Sequence, residues 1–174
     1  MDFPLHSADY NRPPDEPTGT VLLVDVDPTL RSAMRDFLAN SGCRVIEARD
    51  SYDGLFLCAQ YGASIDVLVT EINLLPVSGI KLAENVLRLW PQIQVLCMSD
   101  CEESKGVKYW MRYLNAEFLR KPFSPFQLHE RVHGLMGKRY EDAPMPVLDF
   151  QKPAADPRGR YTSMQDPEFW LKEF

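Results

Sequence analysis

Apolar and polar residues alternate along the middle of the chain in two registers, one of short unbroken runs and one of helical spacing. Val21 to Val24 is a continuous apolar run, the pattern of a strand covered on both faces. Leu30, Ala33, Met34, Phe37 and Leu38 then recur at helical spacing until Gly42 supplies a stop. The unit repeats. A strand at Arg44 to Ala48 leads to a helix around Ser51 to Tyr61, and a strand at Asp66 to Glu71 leads to a helix carrying Ile80, Ala83, Val86, Leu87 and Trp90, closed by Pro91. A strand at Ile93 to Met98 precedes a helix with Val107, Trp110, Met111 and Leu114. A short strand at Glu117 to Leu119 precedes one with Leu128, Val132, Leu135 and Met136. Five strands alternating with five helices over short connections predict an α/β fold: a doubly wound parallel sheet with right-handed crossovers and helices on both faces. In such sheets ligands gather at the carboxyl ends of the strands.

Proline marks where this pattern stops. Of 14 prolines, four lie in residues 1–19 and five in residues 138–174, so the chain divides into a polar lead-in (1–19) expected to be disordered, a domain (20–137) and a proline-rich tail (138–174). A net charge of -6 with no basic run argues against nucleic-acid binding and against a polybasic membrane patch. No stretch approaches the roughly 20 apolar residues that span a bilayer. The start also lacks the basic and apolar regions of a secretory leader, which predicts a cytoplasmic protein. The four cysteines, Cys43, Cys58, Cys97 and Cys101, have neither metal-knuckle spacing nor disulfide-scaffold density and are expected reduced. A metal shared by Cys97 and Cys101 is a weaker reading than core packing.

The strand ends carry the chemistry. The first strand ends in Asp25-Val26-Asp27, the third in Thr70-Glu71, the fourth in Ser99-Asp100, and the fifth runs into Arg120-Lys121-Pro122-Phe123. Each residue alone has a plain structural use: Asp27 before Pro28 as a helix cap, Ser99 as a turn hydroxyl, Glu71 as a solvated end, Lys121 as a surface lysine. At four strand ends together, the carboxylates, the hydroxyl and the ammonium converge on one site.

Through LLVDVDP, TEINLLPVSG, VLCMSD and FLRKPF, in that order and spacing, residues 19 to 137 resemble the receiver domains of two-component response regulators. The resemblance implies a flavodoxin-like (βα)5 fold with strand order 2-1-3-4-5. It places Asp25 as the first of the acidic pair that helps hold magnesium and Glu71 at the phosphorylated position. It makes Ser99 and Phe118 the residues that move on switching, Lys121 the phosphate-site lysine, and the bond from Lys121 to Pro122 a cis one. Two departures bear on function. Val26 replaces the second acid of the pair, which removes a hard oxygen ligand and leaves magnesium weak or absent at Asp25 and Glu71. Glu71 replaces the nucleophilic aspartate, and its extra methylene displaces the attacking oxygen in a reaction that depends on in-line placement. Two further departures, Pro76 one position later than usual and Asp100 in place of a small residue, carry no assigned mechanism.

The expected protein is therefore a single-domain pseudo-receiver without cofactor or catalysis. It would act through protein partners at the fourth helix, fifth strand and fifth helix, or through its tail. A fixed pair between Glu71 and Lys121 is expected to imitate the phosphorylated charge. Asp25 and Asp27 form the expected acidic pocket, and the alternatives are a phosphorelay receiver that uses Glu71, or recruits Asp27 to make up the lost metal ligand, and a zinc hydrolase. The latter rests on His129-Glu130-Arg131-Val132-His133, an H-E-x-x-H match. Against it, the helix already bears a core stripe, no third ligand follows, and solvated histidines on a helix flank explain the match. The tail is too short for a usual output domain. It holds two apolar clusters, Val147-Leu148 with Phe150, and Phe169-Trp170-Leu171 with Phe174, expected to dock on this domain or a partner, the second as a short helix begun by Asp166-Pro167.

Overall fold

The computed structural model describes residues 17–101 and 104–137. The lead-in up to residue 16 and both apolar clusters of the tail lie outside the described residues. The elements run β1 (Thr20–Val24), α1 (Pro28–Asn40), β2 (Arg44–Ala48), α2 (Ser51–Tyr61), β3 (Val67–Glu71), α3 (Gly79–Leu89), β4 (Gln94–Ser99), α4 (Lys105–Tyr113), β5 (Glu117–Arg120) and α5 (Pro125–Met136). One 3-10 turn, Gly62–Ser64, follows α2. All strand pairs are parallel in the order β2-β1-β3-β4-β5. This is the flavodoxin-like winding expected from the alternation of elements.

Each helix starts on a polar cap that its sequence supplies. The side chains of Asp27, Asp50, Ser78, Ser104 and Ser124 accept from backbone amides of the first turn, satisfying donors that have no partner inside the helix. Ser124 and Gln127 form a reciprocal capping box, and Pro28 and Pro125 fill first-turn positions that need no amide hydrogen. At the end of α1, Gly42 takes φ of 90°, a conformation that costs glycine little, and turns the chain into β2. Strand limits in β1, β3, β4 and β5 fall one residue from those expected. β3 runs from Val67, and just before it Asp66 is already tied to β1, its amide donating to the Thr20 carbonyl and its carboxylate accepting from the Thr20 amide, 2.7 Å away. β5 extends to Arg120, which registers with Ser99.

Alternation within β1 builds two cores. Leu22 and Val24 face α2, α3 and α4, where they join Ile80, Ala83, Val86, Val107 and Trp110. Val21 and Leu23 face α1 and α5 and pack with Met34, Leu38, Leu128 and Val132. Fully buried cysteines sit in the first core: burial pushes the Cys58 thiol up to about 11, and burial with the nearby Glu71 charge pushes Cys97 up to about 12. Cys97 is thus a core residue, and no group of three or more His, Cys, Asp or Glu among the described residues could hold a metal ion.

The same layer fixes the floor of the strand-end site. A Cβ placed on Gly79, the first residue of α3, would overlap the Glu71 carbonyl and come within 2.7 Å of Thr70 Oγ1. Gly79→Ala therefore should destabilise the domain by about 1–3 kcal/mol or more through overpacking against backbone. A chemical denaturation midpoint equal to that of the wild type would contradict this packing. In a brief treatment with iodoacetamide, Cys101 should react first. Cys58 and Cys97 should stay unmodified until denaturant is added, as intact-mass measurement will report.

Candidate functional site

Four strand ends deliver the site. Asp25 follows β1 and is 1% exposed, Glu71 ends β3 at 6%, and Ser99 ends β4 at 1%. Lys121 follows β5 and its amide is held by the Ser99 carbonyl at 2.8 Å. Lys121 Nζ lies 2.8 Å from Asp25 Oδ2 and 2.5 Å from Glu71 Oε2, so one ammonium bridges two buried carboxylates. The remaining oxygens are also engaged. Asp25 Oδ1 accepts from the Asp27 amide at 2.9 Å, and Glu71 Oε1 accepts from the Asn73 amide at 2.9 Å. All four carboxylate oxygens of Asp25 and Glu71 thus have a donor from within the chain.

This arrangement sets the charge on the lysine. Burial alone would lower the Lys121 pKa, but the hydrogen bonds and attraction from Asp25 and Glu71 outweigh it and hold it above the ordinary 10.5. The surface-lysine reading is excluded, because its ammonium is an internal partner.

Ser99 is reached from the β3–α3 loop and from two residues on in its own loop. Glu71 does not bond its hydroxyl. Instead Asn73 Nδ2 donates to Ser99 Oγ at 3.4 Å, and the Cys101 amide donates to the same oxygen at 3.2 Å. Glu71, Asn73, Ser99 and Lys121 form a closed ring of hydrogen bonds across β3, β4 and β5. Phe118 is half-buried, packed against the core under α2, α3 and α4.

Two residues that the sequence reading passed over hold this site in place. Asn73 is one; its signal was a short polar residue just past Glu71, in a loop where side-chain and backbone amides compete for the same acceptors. Arg31 is the other. Its guanidinium donates to the Asp25 carbonyl at 2.6 Å and faces Glu47 at 3.5 Å, and Glu47 also holds Arg35 at 2.9 Å. Nothing local announces an arginine one turn into α1 as a partner of the preceding strand end.

Two expectations are corrected. Asp27 does not complete an acidic pocket: its Oδ1 accepts from the Thr29 and Leu30 amides at 2.8 and 3.1 Å, so the carboxylate is turned onto the start of α1. Val26 is 52% exposed and offers no ligand. His129 and His133 are only partly exposed to solvent. Both are half-buried, their rings 4.1 Å apart, with His129 edge-on to Phe37 and His133 Nε2 3.8 Å from Cys43 Sγ. The H-E-x-x-H match is therefore two packed rings on α5, with Glu130 exposed beside them.

Five parallel strands wound 2-1-3-4-5, with an acid, an acid, a hydroxyl and a lysine at the ends of β1, β3, β4 and β5, define the receiver class of signalling domain. The response regulator receiver domain family matches this chain over residues 21–133, and the chain belongs to that family. Curated relatives include the sensor kinase CckA of Brucella abortus, 25% identical over 122 residues, covering 70% of this chain and 13% of the kinase. The KDP operon transcriptional regulatory protein KdpE of Escherichia coli is 26% identical over 152 residues, covering 87% of this chain and 66% of the regulator. The chain thus spans only part of these proteins. Among solved structures, a response regulator receiver domain protein from Clostridium thermocellum superposes with a TM-score of 0.64 at 23% identity, covering 68% of this chain and 94% of that one. The chemotaxis protein CheY4 of Vibrio cholerae gives 0.62 at 23%, covering 67% and 98%. Receiver domains are signalling modules that work with other proteins, and no helix among the described residues is long and apolar enough to cross a membrane.

Removing the bridging ammonium strands two buried carboxylates, so Lys121→Met should cost about 3–5 kcal/mol of unfolding free energy. The folded lysine titrates above its ordinary value. Its contribution is therefore fully present below pH 10.5 and is lost as pH rises through the raised folded value. The difference in stability between the wild type and Lys121→Met should accordingly be level from neutral pH up to that point and shrink beyond it. Equal denaturation midpoints for the two proteins at neutral pH would exclude a bridging role.

Proposed function

We propose that this receiver works without phosphorylation, as a signalling adaptor whose Glu71–Lys121–Asp25 bridge stands where phosphoryl group and metal act in an ordinary receiver. The observation that carries the reading is the full occupancy of both carboxylates by internal donors. Magnesium needs hard oxygen ligands in near-octahedral array. Here it would have to take Asp25 and Glu71 from Lys121, at a position where Val26 supplies no replacement. The donor set does not fit the ion, and no step is routed through it. Glu71 Oε1 and Oε2, held by Asn73 and Lys121, are likewise not presented to a phosphodonor.

The adaptor reading assigns binding to the face made by α4, β5 and α5, where Tyr109 is 50% exposed on α4 within a turn of Lys105 and Arg112. Phe126, 76% exposed at the start of α5, lies beside His129 on the flank towards α1. An apolar anchor among cations suits a protein partner with an acidic rim. Catalysis is not part of this function.

Incubation with acetyl phosphate and magnesium, followed by intact-mass measurement, is the direct test. No phosphoryl adduct is expected on the wild type. The Val26→Asp, Glu71→Asp double variant should bind magnesium roughly tenfold or more tightly than the wild type, since it regains a ligand and shortens the other. A stoichiometric phosphoryl adduct at Glu71 of the wild type would overturn the proposal.

A further inference from the structure

Among the described residues, four exposed apolar side chains gather on α2 and the end of α3. Tyr52 and Phe56, one turn apart on α2, are 61% and 60% exposed, Tyr61 is 40% exposed and Leu89 59%. α2 carries Asp53 as its sole charged residue. The seam between the two helices can be followed from one contact. A Cβ on Gly54 would meet Leu82 at 3.3 Å, so these residues face each other. Both helices are crossovers between parallel strands and run in the same sense. Tyr61 and Leu89 lie two turns beyond Gly54 and Leu82, on the same helix faces, and so meet at the lower end of the seam. There a Cβ on Gly62 would overlap the Trp90 indole, which closes the floor. The result is an apolar notch at the edge of the sheet where the strands begin.

The chain leaves the domain at that same edge. Met136, the last residue of α5, lies against Gly19: its Sδ is 2.8 Å from where a Gly19 Cβ would be, just before β1. Residues 138–146 join Gly137 to the apolar segment Val147-Leu148-Asp149-Phe150. Fully extended they reach roughly 30 Å, and the notch lies across the sheet from α5, two layer spacings of about 10 Å each. Pro144 and Pro146 restrict the approach to extended backbone, which reduces the conformational freedom lost on docking. A tether this short gives an effective concentration on the order of mM, so a small apolar contact is enough. Exposed Arg88 stands beside Leu89 as a counter-charge for Asp149.

We infer that residues Val147–Phe150 dock in cis on the notch formed by Tyr61, Leu89 and Trp90, with Phe56 at its outer edge, leaving the face of α4, β5 and α5 free. The contact would tie the tail to the α2 side of the domain, away from the partner surface proposed above, and it does not depend on the state of Glu71.

Hydrogen exchange of the full chain, read by mass spectrometry, tests this against a full-length Leu148→Glu, Phe150→Glu variant. Peptides covering residues 57–62 and 86–90 should exchange about tenfold faster in the variant. The Leu89→Glu protein, altered at an exposed position, should show the reciprocal loss of protection at residues 147–150. Both effects should be independent of protein concentration. Unchanged exchange in the notch would overturn the inference. Protection that fades on dilution, with a mass corresponding to two chains, would assign the notch to a second copy instead. Loss of protection at α4 and α5 but not in the notch would place the tail on the partner face and likewise refute it.

Discussion

A single ammonium held between two buried carboxylates organises the carboxyl edge of this sheet. Lys121 reaches Asp25 and Glu71 from β5, and three strands are thereby fixed at their ends by one charge. Removing carboxylates from water is costly unless each oxygen finds a partner. The surrounding loops follow from that requirement. Asp27 and Asn73 supply backbone amides to the oxygens that Lys121 does not reach, which fixes the paths of the β1–α1 and β3–α3 connections. Gly79 leaves room for α3 to start directly against the Glu71 carbonyl.

The extra methylene of Glu71 matters in this setting. An ordinary receiver changes state when a phosphoryl group adds charge at the end of β3, and the bias equals the difference in interaction energy between the two states. Here the Glu71 carboxylate lies at that position, and it shares the Lys121 ammonium with Asp25. Ser99 is linked to it through Asn73 rather than by Glu71 itself, so the hydroxyl that would follow a phosphoryl oxygen is engaged by an amide. The start of the β4–α4 loop is tied to the bridge by hydrogen bonds that run from Glu71 through Asn73 and Ser99 to the Cys101 amide.

The histidine pair on α5 shows how context decides a motif. Two histidines one turn apart with an intervening glutamate suit a metal only if the rings point into an open site with a third ligand. On α5 they stack on each other, and Phe37 and Cys43 fill the space beside them. Burial of the ring faces, rather than coordination, accounts for their spacing.

Most of the fold was legible in the chain. Strands buried on both faces must be apolar throughout, helices must carry an apolar stripe, and caps must be short polar residues, so the alternation from Val21 to Met136 set the order of elements almost to the residue. It also assembled Asp25, Glu71, Ser99 and Lys121, because parallel strands deliver their carboxyl ends to one edge. What tertiary structure alone decided was which polar atom meets which. Asp27 could cap a helix or face the site, and the free amides of α1 claimed it. Glu71 could reach Ser99 or Lys121, and the ammonium took it, leaving Ser99 to Asn73. Arg31 became a partner of Asp25 only when α1 folded back along β1. Side chains of one charge and similar reach look alike along a sequence. The choice among them is made by distances of a few ångströms between segments far apart in the chain, and those distances exist only after the sheet has closed.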